Sequence, residues 1–186
     1  MKKPSKIYLY IIPLLMITVG CKKDATNTEP QNPDKTIVYV DGGFYRYDVL
    51  KVVNEYRAKG CKCGDEDMPP VPSLIWNDTV AKAALRHSID MAANNTLSHD
   101  GSDGSNAKSR IDDAGYEGHY TKYGENILNI TSHATDLISA QAMVNMWLNS
   151  PPHCKNIMNP NYKKLGIAGA VTPDNQTQYY TQDFTN

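Results

Sequence analysis

The sequence predicts an α+β domain in which helices lead and strands follow. Val49, Val52, Val53 and Tyr56 recur at helical spacing, and Val80, Ala83, Ala84, His87 and Met91 form a second stripe of the same period. Near the other end, Leu165 to Val171 and Gln178 to Phe184 read as two strands, with Pro173-Asp174-Asn175 as the turn between them. This order lacks the strand–helix alternation of a parallel doubly wound sheet.

The elements follow in chain order. Lys2, Lys3 and Lys6 precede an apolar run from Ile7 to Val19 that ends at Gly20-Cys21. A basic start, a short apolar stretch and a small residue before a cleavage point describe an export signal over residues 1–20. The run is shorter than the ~20 residues that a membrane-spanning helix needs. Thr18-Val19-Gly20-Cys21 resembles a bacterial lipobox, which would make Cys21 the lipid-modified first residue and the membrane a partner through that lipid. Several acyl chains anchor far more firmly than one. Lys22 and Lys23 after Cys21, rather than Asp, favour the outer membrane by resemblance to lipoprotein sorting rules. Residues 21–42 are polar, carry Pro30 and Pro33, and read as a tether to a single domain over residues 43–186. Residues 1–20 hold three lysines and no acid, so the 19 basic groups fall to 16 against 20 acidic ones. A net negative domain gives no reason to expect nucleic acid as partner.

The first helix is expected from about Phe44 to Ala58, with Gly60 ending it. Asp65 to Ser73 holds three prolines and reads as an extended loop. Asp78 is the expected cap of the second helix, which should stop near Asn94-Asn95. Asp100 to Asn106 superficially resembles a calcium loop but lacks its ligand spacing and closing glutamate, so it reads as a solvated turn. Asn106 or Ser105 can cap a short helix through Ile111 to Ala114, and Tyr123 to Ile130 has strand character. Ala140, Val144, Trp147 and Leu148 then share one face of a helix expected from Ser132 to Asn149, broken by Pro151-Pro152.

With Cys21 set aside, Cys61, Cys63 and Cys154 remain. Export exposes them to an oxidising compartment, so one disulfide and one spare thiol are expected. Cys61 and Cys63 are too close in sequence to bridge each other comfortably, which leaves Cys154 paired with one of the two. Such a bridge closes a loop of about 90 residues, for about 3–5 kcal/mol in the chain-entropy view.

Three short segments carry the chemistry: Ser98-His99, Gly124-Glu125-Asn126-Ile127 and Ser150-Pro151-Pro152-His153. Glu125 lies in an apolar run, and a carboxylate buried there needs a partner. A histidine N–H is a natural one, and the pair would fix the ring's tautomer. His99 and His153 together can hold a divalent metal, zinc favoured, or supply acid–base chemistry without one. Other polar residues read as structural. His87 sits on a buried stripe, Arg57 and Asp90 suit an ion pair, Trp147 suits the core, and His119 and His133 suit solvent.

At these positions the chain resembles the CAP superfamily of cysteine-rich secretory, antigen 5 and pathogenesis-related proteins, compact bacterial members above all. The resemblance runs in order through Asn54-Glu55-Tyr56-Arg57, Leu74-Ile75-Trp76-Asn77, the Ala83-to-Met91 stretch, Ser98-His99, Arg110, Gly115-Tyr116 and Gly124-Glu125-Asn126-Ile127. It continues with Trp147-x-x-Ser150-Pro151-x-His153, Asn156-Ile157-Met158, Gly166-Ile167-Ala168 and Tyr180-Thr181-Gln182-Asp183-Phe184. It implies a three-layer α–β–α sandwich with a central antiparallel sheet. It also implies a cleft in which His99, Glu125 and His153 stand for the family's two histidines and first acid. Ser150 stands where the second acid belongs, and Asn126 joins it along the cleft. The same resemblance pairs Cys63, in Cys63-Gly64, with Cys154 and leaves Cys61 as the spare thiol.

Three functions are then open. The first is an envelope protein binding a lipid, peptide or glycan, with or without a divalent metal. The second is a hydrolase using His99 and His153 with Glu125 as orienter, although no Ser-His-Asp or His-Glu-x-x-His pattern is present. The third is a structural or adhesive role. Binding is favoured over catalysis because this fold serves different roles, and the protein is expected to be a monomer.

Overall fold

The helical stripes and the two terminal strands of the sequence meet in one sheet covered on both faces. The computed structural model describes residues 39–40, 42–131 and 138–186, with side chains from Arg46 onward. Cys21, the expected signal and most of the tether, and His133 lie outside the described residues.

A short strand β1 (Tyr39–Val40) leads into helix α1 (Gly42–Lys59), followed by the hairpin β2 (Cys61–Cys63) and β3 (Glu66–Met68). Strand β4 (Ile75–Trp76) precedes α2 (Asp78–Asn94) and α3 (Ala107–Asp113). Strand β5 (Tyr123–Thr131), helices α4 (Ala140–Leu148) and α5 (Pro151–Ile157), and strands β6 (Lys164–Val171) and β7 (Thr177–Thr185) complete the chain. The main sheet runs β1-β6-β7-β5 with antiparallel neighbours, and β4 adds a short parallel pairing to β6.

Strand alternation builds two cores. Leu128, Tyr180, Leu165 and Ile167 point into a cluster with Val49 and Val53 of α1 and Val144 and Trp147 of α4. Their neighbours Ile127, Tyr179 and Ala170 point the other way, against Met91 and Ala92 of α2. Period-two side chains therefore give a sheet buried on both sides, the α+β three-layer arrangement expected. At Gly166 any Cβ would strike the backbone of Val80 and Ala81, so glycine lets α2 lie directly on β6.

Local chemistry sets the ends. Gly60, at φ 75°, closes α1 in a conformation that other residues avoid. Asn77, not Asp78, caps α2, its side chain accepting from Val80 N at 2.9 Å. Asp78 is instead the first helical residue and accepts from Trp76 Nε1 at 2.7 Å. Asn106 and Ser109 form a reciprocal capping box on α3. Between β6 and β7, Asn175 takes φ 62° in the expected turn.

Four further expectations are corrected. The proline-rich loop contains β3, which pairs with β2 in the register Cys61↔Met68 to Cys63↔Glu66. The fourth helix begins at Ala140, capped by Ser139, so Ile138 and Ser139 fall outside it, and positions 132–137 of the expected span lie outside the described residues. Pro151 and Pro152 end α4 but also start α5, whose first N–H groups need no intrahelical partner. Finally, Arg57 and Asp90 do not meet. Arg57 is fully buried and donates to the carbonyls of Pro72 (2.7 Å), Ile157 (2.5 Å) and Asn159 (3.1 Å). Asp90 instead accepts from Ser102 N at 2.8 Å.

Candidate functional site

The site lies along β5, the edge strand of the main sheet. Alternation turns Glu125 to the same face as Ile127, towards α2 and α3. Asn126 turns to the opposite face, towards α5. One strand thus serves both sides of the cleft.

On the first face, Glu125 is anchored by Arg110 of α3, whose Nη2 donates to Oε2 at 2.6 Å. Only 1% of the Arg110 side chain and 4% of the Glu125 side chain are exposed, so this is a desolvated ion pair. Arg110 also donates to the carbonyls of His99 (3.1 Å) and Ser105 (2.9 Å), tying the loop after α2 to the pair. The other carboxylate oxygen, Oε1, accepts from His99 Nδ1 at 2.7 Å. That hydrogen bond leaves His99 Nε2 for whatever enters, and 57% of the His99 side chain is exposed. His87, fully buried on α2, is joined through Nε2 to the Ser98 carbonyl at 2.8 Å and so fixes the turn before His99.

On the second face, the fully buried Asn126 donates to the His153 carbonyl at 3.1 Å and to Gln182 Oε1 at 2.9 Å. Asn156 donates to Asn126 Oδ1 at 2.9 Å and to the Glu125 carbonyl at 3.2 Å. Asn126 is therefore buried and spends its side chain on the backbone of His153 and on Gln182 and Asn156. Ser150 stands at the N-cap of α5 without a side-chain capping bond, while its carbonyl accepts from Cys154 N at 2.8 Å. Among the described residues no hydrogen bond joins its hydroxyl to His153.

The two imidazoles are tuned in opposite directions. The hydrogen bond that His99 donates to Glu125 raises the pKa of His99 above its ordinary value, despite partial burial. Burial lowers that of His153, and the neighbouring His99 charge lowers it further. Burial also lowers His87, whose Nε2 lies 3.9 Å from Glu125 Oε1, against the pull of that carboxylate. Burial alone would raise Glu125, but His99, Arg110 and His87 outweigh it and hold the carboxyl below its usual range.

Arg110 and Asp183 both fall in segments that carry the family resemblance, but sequence reasoning gave neither a role. Asp183 stands directly opposite Glu125 in the β5–β7 ladder and is fully buried. Burial first, then the Glu125 charge, pushes its carboxyl well above the carboxylate range. The neutral acid is the form that can donate a hydrogen towards Glu125. The available signal was an acid in each of two otherwise buried strands, which together demand a cation and a proton.

A carboxyl whose folded pKa is raised contributes most below its unfolded pKa, and that contribution is lost as pH rises towards the folded value. Asp183→Asn is therefore expected to raise unfolding free energy at neutral pH, with the advantage shrinking as pH falls through the ordinary carboxylate range. Urea unfolding of both proteins across pH checks this, and a destabilised variant at neutral pH would show that Asp183 is ionised in the fold.

The Cys63–Cys154 disulfide joins β2 to α5 one residue beyond His153, leaving Cys61 free. Among the described residues, the three sulfurs of Cys61, Cys63 and Cys154 lie within 4.8 Å of one another. With two of them oxidised, that trio cannot supply three thiolate ligands. His99 keeps Nε2 as its remaining donor for a divalent ion, the proton that Glu125 favours on its ring would have to leave first, and Glu125 is itself engaged with Arg110.

Residues 50–184 match the pattern of CAP, the cysteine-rich secretory protein family, and the chain belongs to that family. It is 34% identical over 113 residues to an uncharacterized membrane protein, YlbC, of Bacillus subtilis, covering 60% of this chain and 28% of the relative. Its fold is similar to an extracellular protein containing an SCP domain from Bacillus anthracis, at a TM-score of 0.56 and 27% identity over 75% of this chain and 39% of that one. It is also similar in fold to an outer surface protein of Borrelia burgdorferi, at a TM-score of 0.63 and 22% identity, covering 81% and 98% of the two chains. The chain thus spans well under half of the two Bacillus proteins. Among its described residues no helix is long and apolar enough to cross a membrane.

Proposed function

We propose that this is a lipid-anchored cell-envelope protein whose cleft binds a lipid, peptide or glycan, with zinc or another divalent ion held by His99 and His153. The anchor is the lipid on Cys21, with the outer membrane favoured. One observation carries the reading: a buried ion pair, Arg110–Glu125, holds the exposed His99 ring in one tautomer. Burying two charges costs desolvation that their attraction does not readily repay, so the pair is better explained by the group it orients than by stability. Relatives described as extracellular and membrane proteins fit an envelope location.

Calorimetric zinc titration of residues 43–186 tests the metal. The His99→Ala/His153→Ala protein is expected to lose at least tenfold in affinity, as loss of a first ligand should exceed the roughly 10–100-fold of a supporting residue. Equal affinity in the two proteins would sink the metal site. Thermal-shift screening of the same pair against envelope phospholipid vesicles, peptidoglycan fragments and peptides tests the ligand. A reduced melting temperature in the variant with no change in any binding would leave a structural or adhesive role.

A second reading, hydrolysis, is favoured by the opposed shifts of His99 and His153. Paired groups pushed apart in this way suit an acid and a base at one pH. A broad substrate screen in which His153→Ala matches the native protein would remove it.

A further inference from the structure

Cys61 and Cys63 are separated by one residue of β2, so strand alternation places both on the same face with Lys62 opposite. That face meets Cys154 of α5. Cys63 is bridged to Cys154, and the free Cys61 Sγ stands 3.8 Å from the Cys154 sulfur. Cys63 and Cys154 are 2% and 0% exposed, whereas Cys61 is partly open to solvent. A spare thiol is thus in van der Waals contact with one sulfur of a buried disulfide.

We propose that Cys61, Cys63 and Cys154 form an internal thiol–disulfide exchange site in which the bridge to Cys154 alternates between the two cysteines of β2. The Cys61 thiolate attacks Cys154 Sγ, the Cys61–Cys154 bond forms, and the Cys63–Cys154 bond breaks. Cys63 leaves as the thiolate and takes up a proton equivalent to the one Cys61 gave to solvent. One disulfide and one thiol are present before and after, so the step needs no outside oxidant or reductant.

Loop entropy does not choose between the isomers. The closed loops differ by two residues in about ninety, which changes the chain-entropy contribution by well under ~0.1 kcal/mol. Local packing decides instead. Closing the 3.8 Å gap between Cys61 and Cys154 to a disulfide bond takes a movement of roughly 2 Å, with Cys63 withdrawing as the old bond opens. Beside this bridge, the Pro151 ring lies where a Cβ on Gly64 would press, and Lys155 pairs with Glu66, so β2 is held against the helix that carries His153. A change of disulfide isomer therefore takes place on the helix that carries His153. Burial raises the Cys61 thiol pKa, so the resting group is the thiol and exchange proceeds slowly through its minor thiolate.

Site-resolved alkylation of the full chain decides the matter, because trypsin cuts after Lys62 and puts Cys61 and Cys63 on separate peptides. The folded protein is held at mildly alkaline pH, quenched in acid, unfolded and alkylated without reduction; Cys21 falls on its own peptide. Cys63 is expected to carry label on the order of a tenth or more of that on Cys61, with Cys154 unlabelled and a Cys61–Cys154 linked peptide present. Label confined to Cys61 overturns the proposal. Label on Cys63 matched by label on Cys154 marks a reduced bridge and overturns it equally. The Cys63→Ser protein, oxidised in a glutathione buffer, should form the Cys61–Cys154 bridge; if it folds and keeps both thiols free, the exchange geometry is refuted. Should that variant fail to fold, the native protein's label distribution still gives the answer.

Discussion

Glu125→Gln is expected to destabilise the domain by about 3 kcal/mol at neutral pH, the low end for breaking a buried ion pair. The substitution keeps the side-chain volume and removes only the charge, so packing loss cannot account for the effect. Arg110, 1% exposed, is left as a cation facing an amide. The low end is expected because a second acid is in place. Asp183 stands opposite Glu125 in the ladder and within reach of the Arg110 charge. Part of what keeps Asp183 neutral is Glu125 itself, so removing that charge lets Asp183 ionise and partly neutralise Arg110.

This gives the prediction a non-additive signature. Asp183→Asn alone is expected to stabilise, yet the same change made on top of Glu125→Gln should destabilise, because it removes the substitute anion. Urea unfolding at neutral pH of the four proteins in this cycle measures the coupling directly. An Asp183→Asn effect of the same sign in both backgrounds would show that the two carboxyls do not share Arg110. The cycle also bears on binding, since His99 owes both its tautomer and its raised pKa to Glu125.

How much of this was legible depends on whether the signal was local. The helices α1 and α2 were readable because their buried residues recur at helical spacing, and the β6–β7 hairpin because a turn interrupts two apolar runs. Strand β3 was not readable: Glu66-Asp67-Met68 has little strand preference and is extended because β2 pairs with it. Helix α5 was read as a break because two prolines stop a helix. The same residues start one, since the first N–H groups of a helix have no internal partner. Asp78 was taken for a cap when Asn77, one residue earlier, had the extended backbone that capping requires.

The site divides in the same way. That Glu125 needs a partner follows from its apolar surroundings, and His99 was the natural choice. That Arg110 completes the pair does not follow locally, because a short helix elsewhere in the chain must deliver it. Asn126 shows the limit of motif reasoning. It sits beside Glu125 in the sequence, but alternation sends it to the other face, where its side chain donates to the His153 carbonyl.

Cys154→Ala is expected to cost about 4–5 kcal/mol, because the bridge it removes closes the loop between positions 91 residues apart and the unfolded chain gains that freedom. The loss should appear as a lower urea midpoint with a steeper slope, because the uncrosslinked unfolded chain is less compact, and reduction of the native protein should produce most of it. A cost below about 1 kcal/mol would mean that the unfolded chain is already restrained by residual structure. The three cysteines should then rank unequally. Cys61→Ala leaves the bridge intact and is expected to be near neutral. Cys63→Ala removes the same bond as Cys154→Ala, yet it leaves Cys61 3.8 Å from the sulfur that has lost its partner. If the bridge can move, oxidised Cys63→Ala keeps a closed loop of nearly equal length and recovers most of the stability that Cys154→Ala loses. If it cannot, the two variants unfold at the same urea concentration. The gap between those two midpoints therefore separates the contribution of a closed loop from the contribution of this particular pairing.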